Sequence, residues 1–444
     1  MNRSILAALA FSVLGASALA EPAPVHPVVR DLAKHETPLL LGTLEQLVNI
    51  ESGSQDLVGL EKIAGLIEAR LRQLGMQTEV LPGVISGPRT ARTVDRVGSM
   101  VMGRLKGTGT RKIALIAHMD TVYQQGMLSK QPYRVDGDKT YGLAITDDKG
   151  GVAMILHTVA ILQQLGFRDY AELTVLINAD EEIGSPGSKA RIAQLGQESD
   201  VVLSFEGTLV ALGDDYVRLA TSSLATATLK VVGRSAHAGS NPELGRNALY
   251  EMAHQILQSR DLSKPDKGLR LNWTLAKAGN VSNAIPDEAV AIGDARAFRA
   301  EDFVELEASL RERIRHTLIP ETRVELSFEY ERPPLVPTDA SRKVAQQAVD
   351  IYAEIGRNLG VRERATGGGT DAAYAASQTR AAVLESFGLR GYGSHSSNAE
   401  YVLISSIEPR LYLTARLIME ISAGGKSATR HDSARDEPSR ARSQ

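Results

Sequence analysis

With 444 residues, 43% of them hydrophobic and 23% charged, the chain is long enough for two domains and too apolar to be disordered. Its 50 basic and 53 acidic residues leave a formal charge of −3, which argues against a face made for nucleic acid or an anionic membrane and favours a small-molecule or peptide partner. The absence of cysteine excludes disulfides and thiolate ligands, so any bound metal must be held by nitrogen and oxygen.

Residues 1–20 read as an export signal. Arg3 precedes the apolar segment ILAALAFSVLGASALA, and Ala18-Leu19-Ala20 forms a small-residue cleavage site before Glu21. The run is too short to span a bilayer comfortably, so a periplasmic or secreted mature protein is expected, with no membrane attachment. From about Pro38, LLLGTLEQLVNI and then LVGLEKIAGLIEARLRQLG carry apolar residues at helical spacing, the second closing on Gly75. KIALIA, the helix GGVAMILHTVAILQQLG, ELTVLINAD and DVVLSFE follow as strand, helix, strand and strand. That rhythm predicts an α/β domain whose parallel or mixed sheet is flanked by helices. Between Ala220 and Arg332 the order changes to βαββαβ, the ferredoxin-like unit. SRKVAQQAVDIYAEIG, RAAVLESFG and SSIEPRLYLTARLIMEIS then resume the first pattern. The expected organisation is a discontinuous catalytic domain, 21–219 and 333–423, interrupted by an inserted lid or dimerisation domain, 220–332. A tail of almost no apolar content, 424–444, is expected to be disordered.

Polar residues gather where the apolar strands end. KIALIA runs into His118 and Asp120, ELTVLINAD into Asp180, Glu181 and Glu182, and DVVLSFE into Glu206, while Asp147 and Asp148 precede a glycine-opened helix. The carboxyl edge of an open α/β sheet is where ligands bind. Carboxylates brought within about 4 Å repel by ~4 kcal/mol per pair at an effective dielectric of 20, so such a cluster needs cations or raised pKa values. A pair of divalent ions satisfies it, with Asp, Glu and His as suitable zinc ligands. Singly, each piece has an ordinary structural reading: a satisfied histidine, an N-cap, a solvated loop pair, a turn residue. The set as a whole does not.

In order and spacing, HMDTV, YGLAITDDKGG, NADEEIGSPGS, SFEGT and SHSSNAEY resemble the motifs of the di-zinc exopeptidase family of aminoacylases and carboxypeptidases. The resemblance covers nearly the whole mature chain, including SAHAG, LNWT, ERP and TGGGTDAAYAA. It is nearest to the glucarpidase-like branch, bacterial glutamate carboxypeptidases acting on folates. It implies two zinc ions per subunit, one held by His118 and Glu206, the other by Glu182 and His395, with Asp147 bridging. It implies that Asp120 fixes the orientation and tautomer of the His118 imidazole and that Glu181 is the general acid/base. His237 is implied to reach a neighbouring subunit's site in a homodimer and stabilise the oxyanion there. Asn283 and Arg296 are implied to line the substrate pocket, and Arg332 to recognise the glutamate side chain. In the loop Gly367 to Asp371, Gly368, Gly369 and Thr370 are implied to offer backbone N–H groups to the terminal carboxylate. Two positions depart from the pattern: Ala144 stands where the family usually has glycine, and TSSLA, Thr221 to Ala225, has serine where the branch has glycine.

The reading is an exported zinc carboxypeptidase that cuts the amide bond to a C-terminal glutamate, in folates or other N-acyl-glutamates. Its rivals are an aminoacylase or dipeptidase of other side-chain preference and a non-catalytic periplasmic binding protein.

Overall fold

The computed structural model describes residues 24–86, 94–396 and 399–424. The expected export signal, and all of the expected tail except Gly424, lie outside the described residues. Among those described, no helix is long and apolar enough to cross a membrane.

The central sheet has six strands, in the spatial order Gln77–Leu81, Met100–Lys106, Glu172–Asn178, Lys112–His118, Val201–Ser204 and Ala382–Leu384. The first two pairings are antiparallel and the last three parallel. Along Lys112–His118 the side chains alternate between two covered faces, which is why KIALIA is a continuous apolar run. Ile113, Leu115 and Ala117 join the core beneath the helices Pro27–Val48, Lys149–Gln164 and Ile407–Ala423, whereas Ala114 and Ile116 pack with Ile192, Leu195 and Ala372 to Ala375. The expected α/β sheet flanked by helices is therefore present.

One helix begins well before its expected start. Pro27–Val48 contains Pro38 in its interior, not at its N-terminus, and opens at a His26 cap with Pro27 in the first turn. Proline inside a helix costs ~3 kcal/mol. The buried stripe Val29, Ala33, Leu40, Leu44 and Leu47, which runs through it, offsets that cost by packing against two other helices. The strands Gln77–Leu81 and Met100–Lys106 have no counterpart among the expected elements; they widen the sheet on its antiparallel side.

Residues 223–332 build a second sheet, antiparallel, in the order Arg270–Ala278, Glu288–Ala297, Ser223–Val232, Arg323–Arg332, with the helices Ala248–Ser259 and Glu301–Arg313 on one face. This strand order is that of the ferredoxin-like unit. The chain leaves for this sheet and returns from it at adjoining points: the Thr221 N–H donates to the Leu335 carbonyl at 3.2 Å, and the Leu335 N–H to Thr221 Oγ1 at 3.3 Å.

A third, small sheet was also unexpected. Lys139–Tyr141 pairs with Tyr401–Leu403, which pairs with Arg390–Tyr392. It places the loop carrying Asp147 beside the hairpin carrying His395.

Candidate metal centre

Parallel register brings the strand ends level: His118 lies opposite Asn178, and Ile116 opposite Ser204. The residues just beyond them, Asp120, Glu181, Glu182 and Glu206, therefore emerge at one edge. His118 Nε2 lies 3.1 Å from Asp147 Oδ1 and 3.6 Å from Glu206 Oε1. His395 Nε2 lies 3.3 Å from the other oxygen of Asp147, Oδ2, and 3.2 Å from Glu182 Oε2. Two donor groups result, His118–Asp147–Glu206 and Asp147–Glu182–His395, each with its atoms within 4.8 Å of one another. They share Asp147, which offers one oxygen to each.

The electrostatics of the cluster ask for cations. Burial, and next the charge of Asp147, push Glu206 well above the ordinary carboxylate range. Burial raises Glu182 to about 7, with the His395 contact opposing and Asp147 adding to the rise. Burial alone would lower His118, yet its contacts with Asp120 and Asp147 carry it well above its ordinary value. His395 is raised to about 10 by its contacts with Asp147 and Glu182. Two divalent ions at these positions would favour the deprotonated carboxylates and imidazoles that such crowding otherwise disfavours. Glu182 Oε1, buried and without a hydrogen-bond partner among the described residues, is a donor of the kind such an ion requires. The nitrogen and oxygen donor set fits zinc.

Several side chains fix this arrangement. Asp120 Oδ1 lies 3.3 Å from His118 Nδ1 and accepts the Glu181 N–H at 3.0 Å, while Oδ2 accepts from the Glu182 N–H and Ser54 Oγ. One carboxylate therefore orients the imidazole and the Glu181–Glu182 turn together. Glu400 accepts the N–H groups of Ala144, Thr146 and Asp147 and the Tyr123 hydroxyl, so it clamps the loop that aims Asp147. Its place in the SHSSNAEY motif was its only signal in the sequence. Asp148 caps the helix Lys149–Gln164 through the Gly151 N–H, the ordinary reading of the DD pair. Ala144 has φ +58°, a left-handed conformation that explains glycine as the residue otherwise expected there.

The remaining expected site residues lie as follows. Glu181 adjoins the cluster, but its carboxylate pairs with the Arg332 guanidinium. Arg332 is only 5% exposed; it also donates to the Glu181 carbonyl and Ser185 Oγ, lies 3.6 Å from Asp371, and leaves Nε without a partner among the described residues. It is thus turned toward Glu181, not open as a free fork. Asp371 was not singled out as a partner of this pair. Arg296 donates to the Gly367 carbonyl at 2.6 Å and pairs with Asp294, which ties the second sheet to the glycine loop. Gly368 and Gly369 form that loop, whereas the Thr370 hydroxyl points inward to Glu385 at 2.6 Å. His237 and Asn283 lie together on the second sheet's exposed loops, joined by the Ala238 N–H to the Asn283 carbonyl. Within one chain they do not join the metal cluster.

Comparison with known proteins places this geometry in a family. Residues 114–420 match the model of peptidase family M20/M25/M40. The chain is 44% identical over 421 residues, 95% of its length and 98% of the relative's, to Carboxypeptidase G2 of Pseudomonas sp. (strain RS-16). Over 84 residues, 19% of each chain, it is 37% identical to a p-aminobenzoyl-glutamate hydrolase homolog of Haemophilus influenzae. An M20 family metallo-carboxypeptidase of Sulfolobus solfataricus superposes with a TM-score of 0.67 at 15% identity, over 85% of this chain and 98% of that one. The chain belongs to peptidase family M20/M25/M40.

Proposed function

We propose that the protein is a di-zinc carboxypeptidase that hydrolyses the amide bond to a C-terminal glutamate in folates and other N-acyl-glutamates, working as an exported homodimer. The observation that carries the chemistry is Asp147, whose two oxygens face two donor groups at one sheet edge. The glutamate preference is supported by the likeness to Carboxypeptidase G2 and to the p-aminobenzoyl-glutamate hydrolase homolog. His118, Asp147, Glu206, Glu182 and His395 would hold two zinc ions, whose Lewis acidity would lower the pKa of a water and polarise the scissile carbonyl.

The chain's own residues do the rest. Glu181 takes the attacking water's proton and returns it to the leaving amine. Asp120 holds His118 and the Glu181 backbone in one register. Arg296 with Gly368 and Gly369 receives the terminal carboxylate, Arg332 holds the Glu181 carboxylate, and Asn283 lines the pocket. His237 serves the neighbouring subunit's site as the oxyanion donor.

A panel of N-acyl amino acids, assayed with metal content measured on the same sample, tests the whole. The reading requires metal-dependent cleavage with acyl-glutamates ahead of acyl-alanine and acyl-leucine. Preference for another side chain would make the protein an aminoacylase or dipeptidase, and binding without cleavage would make it a binding protein.

A further inference from the structure

Three arginines stand in one row across the second sheet. Arg270 lies opposite Arg296, Arg296 opposite Leu224, and Leu224, across a bulge, opposite Arg332, with Leu224 and Arg332 both beside Gly369. Residues directly opposed in a sheet share a face. The other face is closed by Leu271, Ala225, Ala295, Phe303 and Leu306, so the row looks away from the helices. It looks onto the glycine loop. Arg296 donates to the Gly367 carbonyl, a Cβ placed on Gly367 would lie 3.6 Å from Arg270 Nη1, and one placed on Gly369 would lie 3.2 Å from Arg332 Cδ. Above Gly368 the space is open, since a Cβ there would meet nothing within 4 Å.

The three cations differ in their counter-charges. Arg332 has Glu181 and Asp371, and Arg296 has Asp294 at 2.9 Å. Arg270 is exposed and has no hydrogen bond or ion pair among the described residues, although a second guanidinium stands on the neighbouring strand. Like charges in directly opposed positions destabilise a sheet pair, a cost that a bound anion removes. With strands ~4.8 Å apart, the row runs ~14 Å from the Glu181 end to Arg270, and Arg296 is Arg270's immediate neighbour.

We propose that Arg270 is a specificity residue: beside Arg296 and Gly367, its guanidinium takes the second carboxylate of a dicarboxylic substrate residue. This deepens the glutamate reading above and depends on it. A terminal carboxylate held at Arg296 and the glycine loop leaves a two-methylene acidic side chain within reach of Arg270. The planar fork of Arg270 suits a carboxylate and requires no partner to leave first. Arg332 would have to release Glu181 to do the same.

The test uses the full-length, metal-loaded enzyme with an N-acyl-glutamate and the N-acyl-glutamine of the same acyl group, which has the same length without the charge. In Arg270→Ala, KM for the acyl-glutamate should rise about ten- to a hundred-fold with kcat within about threefold, and the glutamate-to-glutamine ratio of kcat/KM should fall by the same factor. Arg270→Lys should restore part of the ratio. Calorimetry gives a readout without turnover: glutarate should bind Arg270→Ala about tenfold more weakly than wild type, and butyrate equally to both. A ratio unchanged in Arg270→Ala, or equal losses on both substrates, overturns the proposal and leaves the glutamate reading standing. A wild-type enzyme with no preference for glutamate over glutamine overturns both.

Discussion

Asp147 gives one oxygen to each donor group, so no other single replacement should disturb both metals equally. Asp147→Asn should lower the metal content of both positions, measured by elemental analysis. Glu181 is in neither group, and Glu181→Gln should retain two zinc ions while kcat falls about a hundred- to ten-thousand-fold. Glu400 is in neither donor group, yet it accepts three N–H groups of the loop that aims Asp147. Glu400→Gln replaces one acceptor oxygen by a donor that faces those N–H groups, so zinc affinity should drop about ten- to a hundred-fold by competition with a chelating dye. The grouping of His118, Asp147, Glu182, Glu206 and His395 was legible in the chain because each sits at a strand end or in a recognisable motif. Glu400, Ser54 and the Arg332–Glu181 pair were not, because a buried polar side chain announces its partner only when distant segments meet.

The helix Ile407–Ala423 is pinned by a buried ion pair. Arg410, fully buried, donates to Asp215 Oδ1 at 3.0 Å and to the carbonyls of Ser386 and Tyr216, and Asp215 also accepts the Tyr352 hydroxyl at 2.6 Å. Burial works to raise Asp215, but Arg410 and Tyr352 hold its carboxyl below the ordinary value of 3.8. A lowered folded value means that the unfolded chain binds the proton first. The stabilisation is therefore complete above about pH 4 and lost as pH falls through the folded value. Arg410→Met should cost about 3–5 kcal/mol in urea unfolding at pH 7, and the gap to wild type should narrow near pH 3. At this scale the long apolar strands and amphipathic helices were readable from their period. The start of Pro27–Val48 was not, since Pro38 looks like a beginning and only packing across the sheet carries the helix through it. The strands of the third sheet, mostly three residues long, are too short to show any period.

For the whole molecule, metal and fold should be linked. Ions that bind the folded cluster and not the unfolded chain stabilise by about 2.7 kcal/mol each at a hundredfold excess over Kd, so stripping with chelator should lower Tm and restoring zinc should recover it. Assembly has its own test. If His237 serves the neighbouring subunit, then inactive His237→Ala and Glu181→Gln proteins, unfolded and refolded together, should recover up to about a quarter of wild-type activity through mixed dimers with one intact site. A monomer active in sedimentation would remove that role. The order βαββαβ was readable as a unit interrupting the larger sheet pattern, but what such a unit assembles with is not written in its period. The hydrogen bonds between Thr221 and Leu335 put its two connections side by side. A tight turn grafted between those two residues would excise the entire unit without severing any strand of the central sheet. It would leave a minimal zinc protein with all five donors and without Arg270, Arg296 or Arg332, in which metal capture could be studied apart from hydrolysis.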